Sequence, residues 1–192
     1  MKLTILFIVT LVLSLAAACA PKPQNENEPA PVISGAPKTA LPMPPGNGGT
    51  LAQMGWILSD GAHPTISDYR DKVLLLDFYA TWCMPCRDSI PHLIELEKQY
   101  GPKGLAVVGL NVGGPEDLPG VPAFAQEFNI HYPLGVPDQS LIDFLMSDVD
   151  AIPQTFVFDG KGQLIKRYIG YSPAMASELE ILIRSALEGS SK

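Results

Sequence analysis

A chain of 192 residues with 46 % hydrophobic side chains carries enough apolar material for one self-supporting core. Its formal net charge of −7, with no cluster of Lys and Arg, offers no electrostatic footprint for nucleic acid or anionic headgroups, so nucleic-acid binding is excluded. Three cysteines are too few for the multi-bridge framework of a small secreted scaffold, and each is read by itself.

The chain opens on Met1-Lys2 and runs apolar from Leu3 to Ala18, ending in Leu15-Ala16-Ala17-Ala18 just before Cys19. A basic start, an apolar stretch somewhat short for a bilayer span and a small-residue cleavage zone predict a signal peptide over residues 1–18. Small residues directly before a cysteine resemble the cleavage box of bacterial lipoproteins, and that resemblance implies that Cys19 is lipidated and becomes the first residue of the mature chain. The leucine stands four residues before Cys19, one earlier than the box prefers, so an ordinary signal peptide and an uncleaved anchor stay as alternatives. Export to the periplasmic side of a membrane is expected under each of them, with inner or outer membrane left open. Residues 19–50 are dense in Pro, Asn, Gly and Glu without helical or strand period, and read as a flexible Pro-rich tether.

Residues 51–189 are the expected folded domain. Residues 54–58 and 63–66 flank Ser59-Asp60-Gly61, and Asp-Gly between short apolar arms predicts a β-hairpin. Residues 73–79 form a near-continuous apolar run, the pattern of a strand covered on both faces. Apolar positions at Ile90, Leu93, Ile94 and Leu96 predict a helix over residues 85–100, stopped by Gly101-Pro102. A second buried strand over residues 105–112 completes a right-handed crossover with parallel strands. Short helices over 121–128 and 140–146, separated by Tyr132-Pro133-Leu134, make a helical insertion after that unit. Residues 154–158 and 163–169 alternate around Asp159-Gly160-Lys161-Gly162 as a second hairpin. Residues 173–187 close the domain as an amphipathic helix, leaving 189–192 as a frayed tail. The class is α/β, a central mixed β-sheet flanked by helices.

Cys83 and Cys86 stand in Trp82-Cys83-Met84-Pro85-Cys86, a spacing used both for zinc and for a redox dithiol. Zinc needs further ligands. The domain has no third cysteine, His92 falls roughly 240° around the helix from Cys86 at 3.6 residues per turn, and His63 and His131 stand outside any ligand spacing. No metal is therefore expected. For redox work, Cys83 at the start of a helix has unpaired amides and the helix dipole to stabilise its thiolate, which makes it the attacking nucleophile. Cys86, one turn deeper, is within disulfide reach and less exposed, and is the resolving thiol of a Cys83–Cys86 redox disulfide. Pro85 is tolerated in the first turn and stiffens it. Trp82 is either an apolar surface for a partner polypeptide or a packing residue, and Arg87 either favours the thiolate or is a solvated surface charge. Asp77, near the end of an apolar strand, must be solvated, paired or costly. If buried, its raised pKa suits a general base that takes the proton of Cys86 as a mixed disulfide resolves; the alternative is an edge carboxylate reaching solvent.

The run Val73-Leu74-Leu75-Leu76-Asp77-Phe78-Tyr79-Ala80-Thr81-Trp82-Cys83-Met84-Pro85-Cys86 resembles the active-site strand and helix start of the thioredoxin superfamily. With the preceding hairpin, Gly109-Leu110-Asn111-Val112-Gly113, the insertion and Ile152-Pro153-Gln154-Thr155-Phe156-Val157-Phe158-Asp159, the likeness extends over residues 52–188 to the membrane-tethered TlpA/ResA-like branch, near the redoxin and AhpC/TSA proteins. It implies a thioredoxin fold and a cis peptide at Ile152-Pro153 facing the cysteines. The Ile152 backbone would then hold an extended client segment, while Pro153 denies the dithiol a neighbouring metal ligand. Asp77 resembles the buried acid of ordinary thioredoxins. Members devoted to cytochrome c maturation carry acids beside the active site where this chain has Met84 and Gly114, so that role stays open. The reading is an exported, membrane-tethered thiol–disulfide oxidoreductase without cofactor, a monomer. It reduces disulfide-bearing client proteins and draws electrons from an upstream membrane or exported donor. The alternatives are a disulfide oxidase or isomerase of secreted proteins, and a copper or zinc carrier using Cys83 and Cys86.

Overall fold

In the computed structural model of the protein, which describes residues 50–190, Trp56–Leu58 forms the first strand (β1). The expected signal peptide, Cys19 and the expected tether up to residue 49 lie outside the described residues. The turn after β1 has the predicted chemistry: Gly61 takes φ +85° and donates its amide to Leu58, while Asp60 accepts from the Ala62 amide at 2.9 Å. The returning arm is shorter than the sequence suggests. Leu58 and Trp56 donate to the carbonyls of Ala62 and Pro64, but Pro64 has no N–H to return, and only the Gly55–Thr65 bridge pairs the arms. Thr65 instead opens a single 3₁₀ turn, Ile66–Tyr69, its amide and hydroxyl both donating to Asp68 at 2.7 and 2.8 Å.

Every residue of Val73–Tyr79 (β2) is buried, in keeping with its unbroken apolar run. The helix Met84–Tyr100 (α1) follows and contains Pro91, which offers no N–H to the carbonyl of Arg87 and interrupts the ladder one turn past the cysteines. Leu105–Asn111 (β3) then pairs parallel with β2, from Val73 against Leu105 to Tyr79 against Asn111. Val121–Phe128 (α2) ends at Asn129 in the left-handed conformation.

The insertion is not purely helical. Leu134–Pro137 (β4) joins the sheet between β3 and β1, parallel to the first and antiparallel to the second. Four residues that include Gly135 and Pro137 show no period-two signal, which is why the sequence conceals this strand. Gln139–Leu145 (α3), Gln154–Phe158 (β5) and Leu164–Ile169 (β6) follow. Pro173–Ser190 (α4) runs past the expected end and takes Gly189 into the helix. The sheet order is β1-β4-β3-β2-β5-β6, with β5 and β6 antiparallel to their neighbours.

Alternation along β2 builds two cores. Leu74, Leu76 and Phe78 pack with Trp56, Leu110, Leu141, Phe156 and Phe158 on one face. Val73 and Leu75 pack with Leu93 and Leu96 of α1 and Leu179 and Ile183 of α4 on the other. Full burial of each such side chain contributes about 1.5–3 kcal/mol relative to exposure. Asp77 continues the second series, which places a carboxyl on the face covered by α1.

Gly135 lets β4 approach β1 closely, because a Cβ there would stand 2.6 Å from the Ile57 carbonyl oxygen. Gly135→Ala is expected to cost about 1–3 kcal/mol through overpacking. A urea unfolding curve should show a lower midpoint with an unchanged slope, and an unmoved midpoint would contradict this pairing.

Candidate active site

β2 stops at Tyr79, and three residues carry the chain to Cys83, whose amide reaches back to the Ala80 carbonyl at 3.2 Å. Cys83 is the N-cap of α1, and its sulfur accepts the Cys86 amide at 3.2 Å. The two cysteines form a disulfide with their Cα atoms 5.3 Å apart. Cys83 is 5 % exposed and Cys86 wholly buried, so the two sulfurs are unequal as the helix geometry predicts. Pro85 is exposed in the first turn, and Trp82, 66 % exposed, with Met84 forms an apolar rim beside the pair. For Trp82 this favours the surface reading over packing.

Across from the cysteines, Ile152-Pro153 is cis, and the Ile152 carbonyl oxygen lies 3.7 Å from the Cys83 sulfur. The loop carrying that carbonyl is held from behind. Buried Gln154 donates to the carbonyls of Val149 and Ala151, both at 2.7 Å, and accepts from Arg167 Nε at 2.9 Å. Arg167 in turn pairs with Asp148 at 2.8 Å. Gly170 donates its amide to the Pro153 carbonyl at 2.8 Å.

Asp77 is 1 % exposed, which settles the choice against an edge carboxylate reaching solvent. Burial pushes its pKa up to about 7, only partly offset by the Thr155 hydroxyl, which donates to Oδ1 at 3.0 Å. Opposite it on β3 stands Gly109, over which the rings of Tyr79 and Tyr132 and the Leu134 side chain close, each near enough to meet a Cβ at that position. Burial raises both of those phenols well above their ordinary value. Among the described residues Asp77 has no cationic partner, so nothing but the Thr155 hydroxyl offsets the cost of burying its charge.

Two positioning groups escaped the sequence reading. Asp117, in the loop after β3, accepts from the Thr81 amide at 2.9 Å, from the Thr81 hydroxyl and from Asn111 Nδ2 at 2.6 Å. Burial works against its charge, but these bonds outweigh it and hold the carboxyl below the ordinary value. Gly113 makes room, since a Cβ there would stand 2.4 Å from Asp117 Oδ2. Nothing local distinguishes Asp117 from its neighbour Glu116; only the folded loop does. Arg87 is not a merely solvated surface charge, the second of its two readings. It donates to the Thr81 carbonyl at 3.2 Å, pairs with Glu127, and lies over the rings of Phe128 and Phe124 at 4.9 and 5.5 Å.

Among the described residues no group of three or more His, Cys, Asp and Glu side chains is gathered as a metal centre. His63 pairs with Asp138 at 2.9 Å, His131 is exposed, and His92 lies on α1 facing Tyr171 with ring centres 6.5 Å apart. A recess of about 400 Å³ is lined by Asn111, Val112, Gly114, Leu118, Ile142 and Met146. Neither cysteine lines it.

Comparison with known proteins agrees with this geometry. The AhpC/TSA family profile matches residues 50–167. The chain is 32 % identical over 117 residues to thiol-disulfide oxidoreductase ResA of Geobacillus thermodenitrificans, covering 60 % of this chain and 66 % of that protein. It is 33 % identical over 112 residues to thioredoxin-like protein YneN of Bacillus subtilis, covering 57 % of this chain and 64 % of that one. The match thus spans just under two thirds of these relatives' length. A thiol:disulfide interchange protein of the thioredoxin family from Chlorobium tepidum superposes with TM-score 0.61 at 26 % identity, over 72 % of this chain and 96 % of that structure. The likeness shows the thioredoxin fold.

Two outcomes follow from the buried carboxyls. Asp117→Ala leaves two amide groups and a hydroxyl around it unsatisfied and is expected to cost about 1–3 kcal/mol in denaturant unfolding at pH 7. Because the folded carboxyl is held low, that contribution is present above about pH 4 and shrinks as pH falls below it, so the gap between variant and parent should narrow in acid. Asp77 has the opposite sign. The folded chain keeps its proton up to about pH 7 while the unfolded chain releases it near pH 4, so parent stability falls across that window as pH rises. Asp77→Asn should be more stable than the parent at pH 8 and indistinguishable from it at pH 3.5, as read by chemical unfolding at both values.

Proposed function

The chain belongs to the AhpC/TSA family of the thioredoxin superfamily, and from that premise we propose that it is a thiol–disulfide oxidoreductase that reduces disulfides of client proteins through Cys83 and Cys86. One observation carries the reading: a helix-capping Cys83 sulfur accepts the Cys86 amide, with the Ile152 carbonyl at 3.7 Å beside it and the fully buried Cys86 sulfur bonded behind it. In the reduced chain the α1 N-terminus favours the Cys83 thiolate. That thiolate attacks one sulfur of the client disulfide, forming the Cys83–client bond and releasing the other client sulfur as a thiolate. Cys86 then gives its proton to Asp77, attacks the Cys83 sulfur and expels the second client thiolate, regenerating the Cys83–Cys86 disulfide. The client is oxidant and leaves with two more electrons; the chain is reductant and loses two.

The client is held as an extended segment against the Ile152 backbone, with Trp82 and Met84 as its apolar rim. It is a disulfide-bearing polypeptide, a class that includes an apocytochrome c, although Met84 and Gly114 leave no acid in the two positions considered for that role. Two electrons per cycle come from an exported or membrane protein donor. The Met1–Cys19 segment supports export, and lipidation of Cys19 followed by the Pro-rich stretch would hold the domain at the periplasmic face of a membrane.

Cys86→Ser should accumulate mixed disulfides between Cys83 and its clients, visible as reductant-sensitive bands on non-reducing gels, whereas Cys83→Ser should form none. Failure of Cys86→Ser to trap any client in cells exporting the full chain would sink the reductase reading.

A further inference from the structure

A proton taken by Asp77 needs a way out, because the carboxyl is sealed within the sheet. The strand register supplies a direction. Asp77 on β2 stands directly opposite Thr155 on β5, and Thr155 directly opposite Tyr168 on β6, so the three side chains form one polar row across the face that α1 and α4 cover. The row leads from Asp77 into a cavity of about 10 Å³ lined by Ser89, His92, Thr155, Tyr168 and Leu179. That volume is at the threshold for a single water, which needs about 10–15 Å³ and two to four polar partners. Two such partners are present and unsatisfied: Tyr168 Oη and His92 Nδ1 are both buried with no hydrogen-bond partner among the described residues. Tyr168 as a residue is only 6 % exposed. Among the described residues three other buried side-chain atoms lack a partner, Trp56 Nε1, Tyr79 Oη and an Arg167 nitrogen, but here two such atoms line one small cavity beside a bonded hydroxyl, which marks a site.

We propose that Thr155, Tyr168 and His92 hold one ordered water there, and that Thr155, this water and His92 form the route by which the proton of Asp77 reaches solvent. The inference rests on the reductase reading, since it serves the step in which Cys86 resolves the mixed disulfide. The bookkeeping of the step is one proton. The Thr155 hydroxyl turns so that protonated Asp77 donates to its oxygen, the Thr155 proton passes to the water, a water proton passes to His92 Nδ1, and the imidazolium releases a proton from Nε2 to solvent. No bond other than O–H and N–H is made or broken, and no oxidant is needed.

The groups around the route suit that direction. Burial lowers the pKa of His92, against an upward pull from Glu180 of α4, so the ring is neutral and can accept at Nδ1. Tyr171 is the other aromatic group facing it. Tyr168 is kept protonated, its pKa pushed up to about 12 by burial and by Glu178, with Lys166 over its ring at 5.4 Å. On the far side of Asp77 stand the buried phenols of Tyr79 and Tyr132, both kept protonated by burial, with Asn111 and Asp117 beside Tyr79.

The test uses the full chain, reduced beforehand and mixed with insulin as the disulfide probe in single-turnover reactions between pH 5 and 9, in H₂O and D₂O. Thr155→Val keeps the shape and removes the relay hydroxyl, Tyr168→Phe removes one anchor of the water, and His92→Ala removes the outlet. Each is expected to slow resolution of the mixed disulfide about tenfold, less than the roughly hundredfold or more of a group that exchanges a proton directly with the reacting atoms, with a larger solvent isotope effect than the parent. Added imidazole should restore His92→Ala but not Thr155→Val, a rescue that lost packing would not permit, and the reduction potential of His92→Ala should match the parent's. Parent-like resolution in all three variants, or a slowed His92→Ala that imidazole leaves slow, overturns the relay. Were the unsubstituted chain to leave insulin disulfides intact, the reductase reading itself would fall, which is a separate outcome.

Discussion

The hydrogen bond from the Cys86 amide to the Cys83 sulfur is the contact around which the rest of the molecule is arranged. It exists only if a helix begins at that point, and the helix begins there because a fully buried strand ends at Tyr79 and three connecting residues deliver Cys83 as the cap. The turn between them is short and has little packing of its own. Asp117 grips Thr81 through its amide and hydroxyl, and Arg87 grips the carbonyl of the same residue, so the approach to the cysteine is tied through both backbone polar groups of one residue. From the opposite side, Gln154 and Arg167 brace the loop that presents the Ile152 carbonyl. The reactive sulfur is thus held between two loops, neither of which is held by apolar burial alone.

Asp77 makes the arrangement costly as well as useful. A sealed carboxyl with no cation beside it lowers stability at neutral pH, and the apolar cores on the two faces of the sheet offset that cost. The same isolation keeps its proton affinity near neutrality, where a group can both take a proton from a thiol and give it up again. A paired carboxylate would be more comfortable and less able to do so. Gly109 contributes by lacking a side chain, since the space opposite Asp77 is filled by two phenol rings instead of a charge.

What could be read in advance was what depends on near neighbours in the chain. The unbroken apolar run of β2, the period of α1, the cap position of Cys83 and the inward turn of Asp77 all follow from spacing within a few residues. The cis bond at Ile152-Pro153 came from family likeness, and the geometry bears it out. What escaped depends on which distant segments meet. β4 is four residues long, and its own composition argues against a strand; only the waiting edges of β3 and β1 make it one. Asp117, Gln154 and the partners of Arg87 are ordinary polar residues until the loops around them close. Thr155 and Tyr168 look like alternating strand positions, and nothing short of the pairing between β2, β5 and β6 places them in line with Asp77.

That line has a consequence for how the chain finds one fold rather than several. β5 is buried on both faces, so sliding the strand by one position would exchange those faces and still leave its apolar residues inside. Thr155 removes that freedom. A slip would turn its hydroxyl into the opposite core and leave the Asp77 carboxyl facing hydrocarbon, two unsatisfied polar groups for one shifted residue. The buried acid at the centre of the sheet therefore doubles as a key for strand alignment, rejecting misthreaded pairings as the sheet assembles.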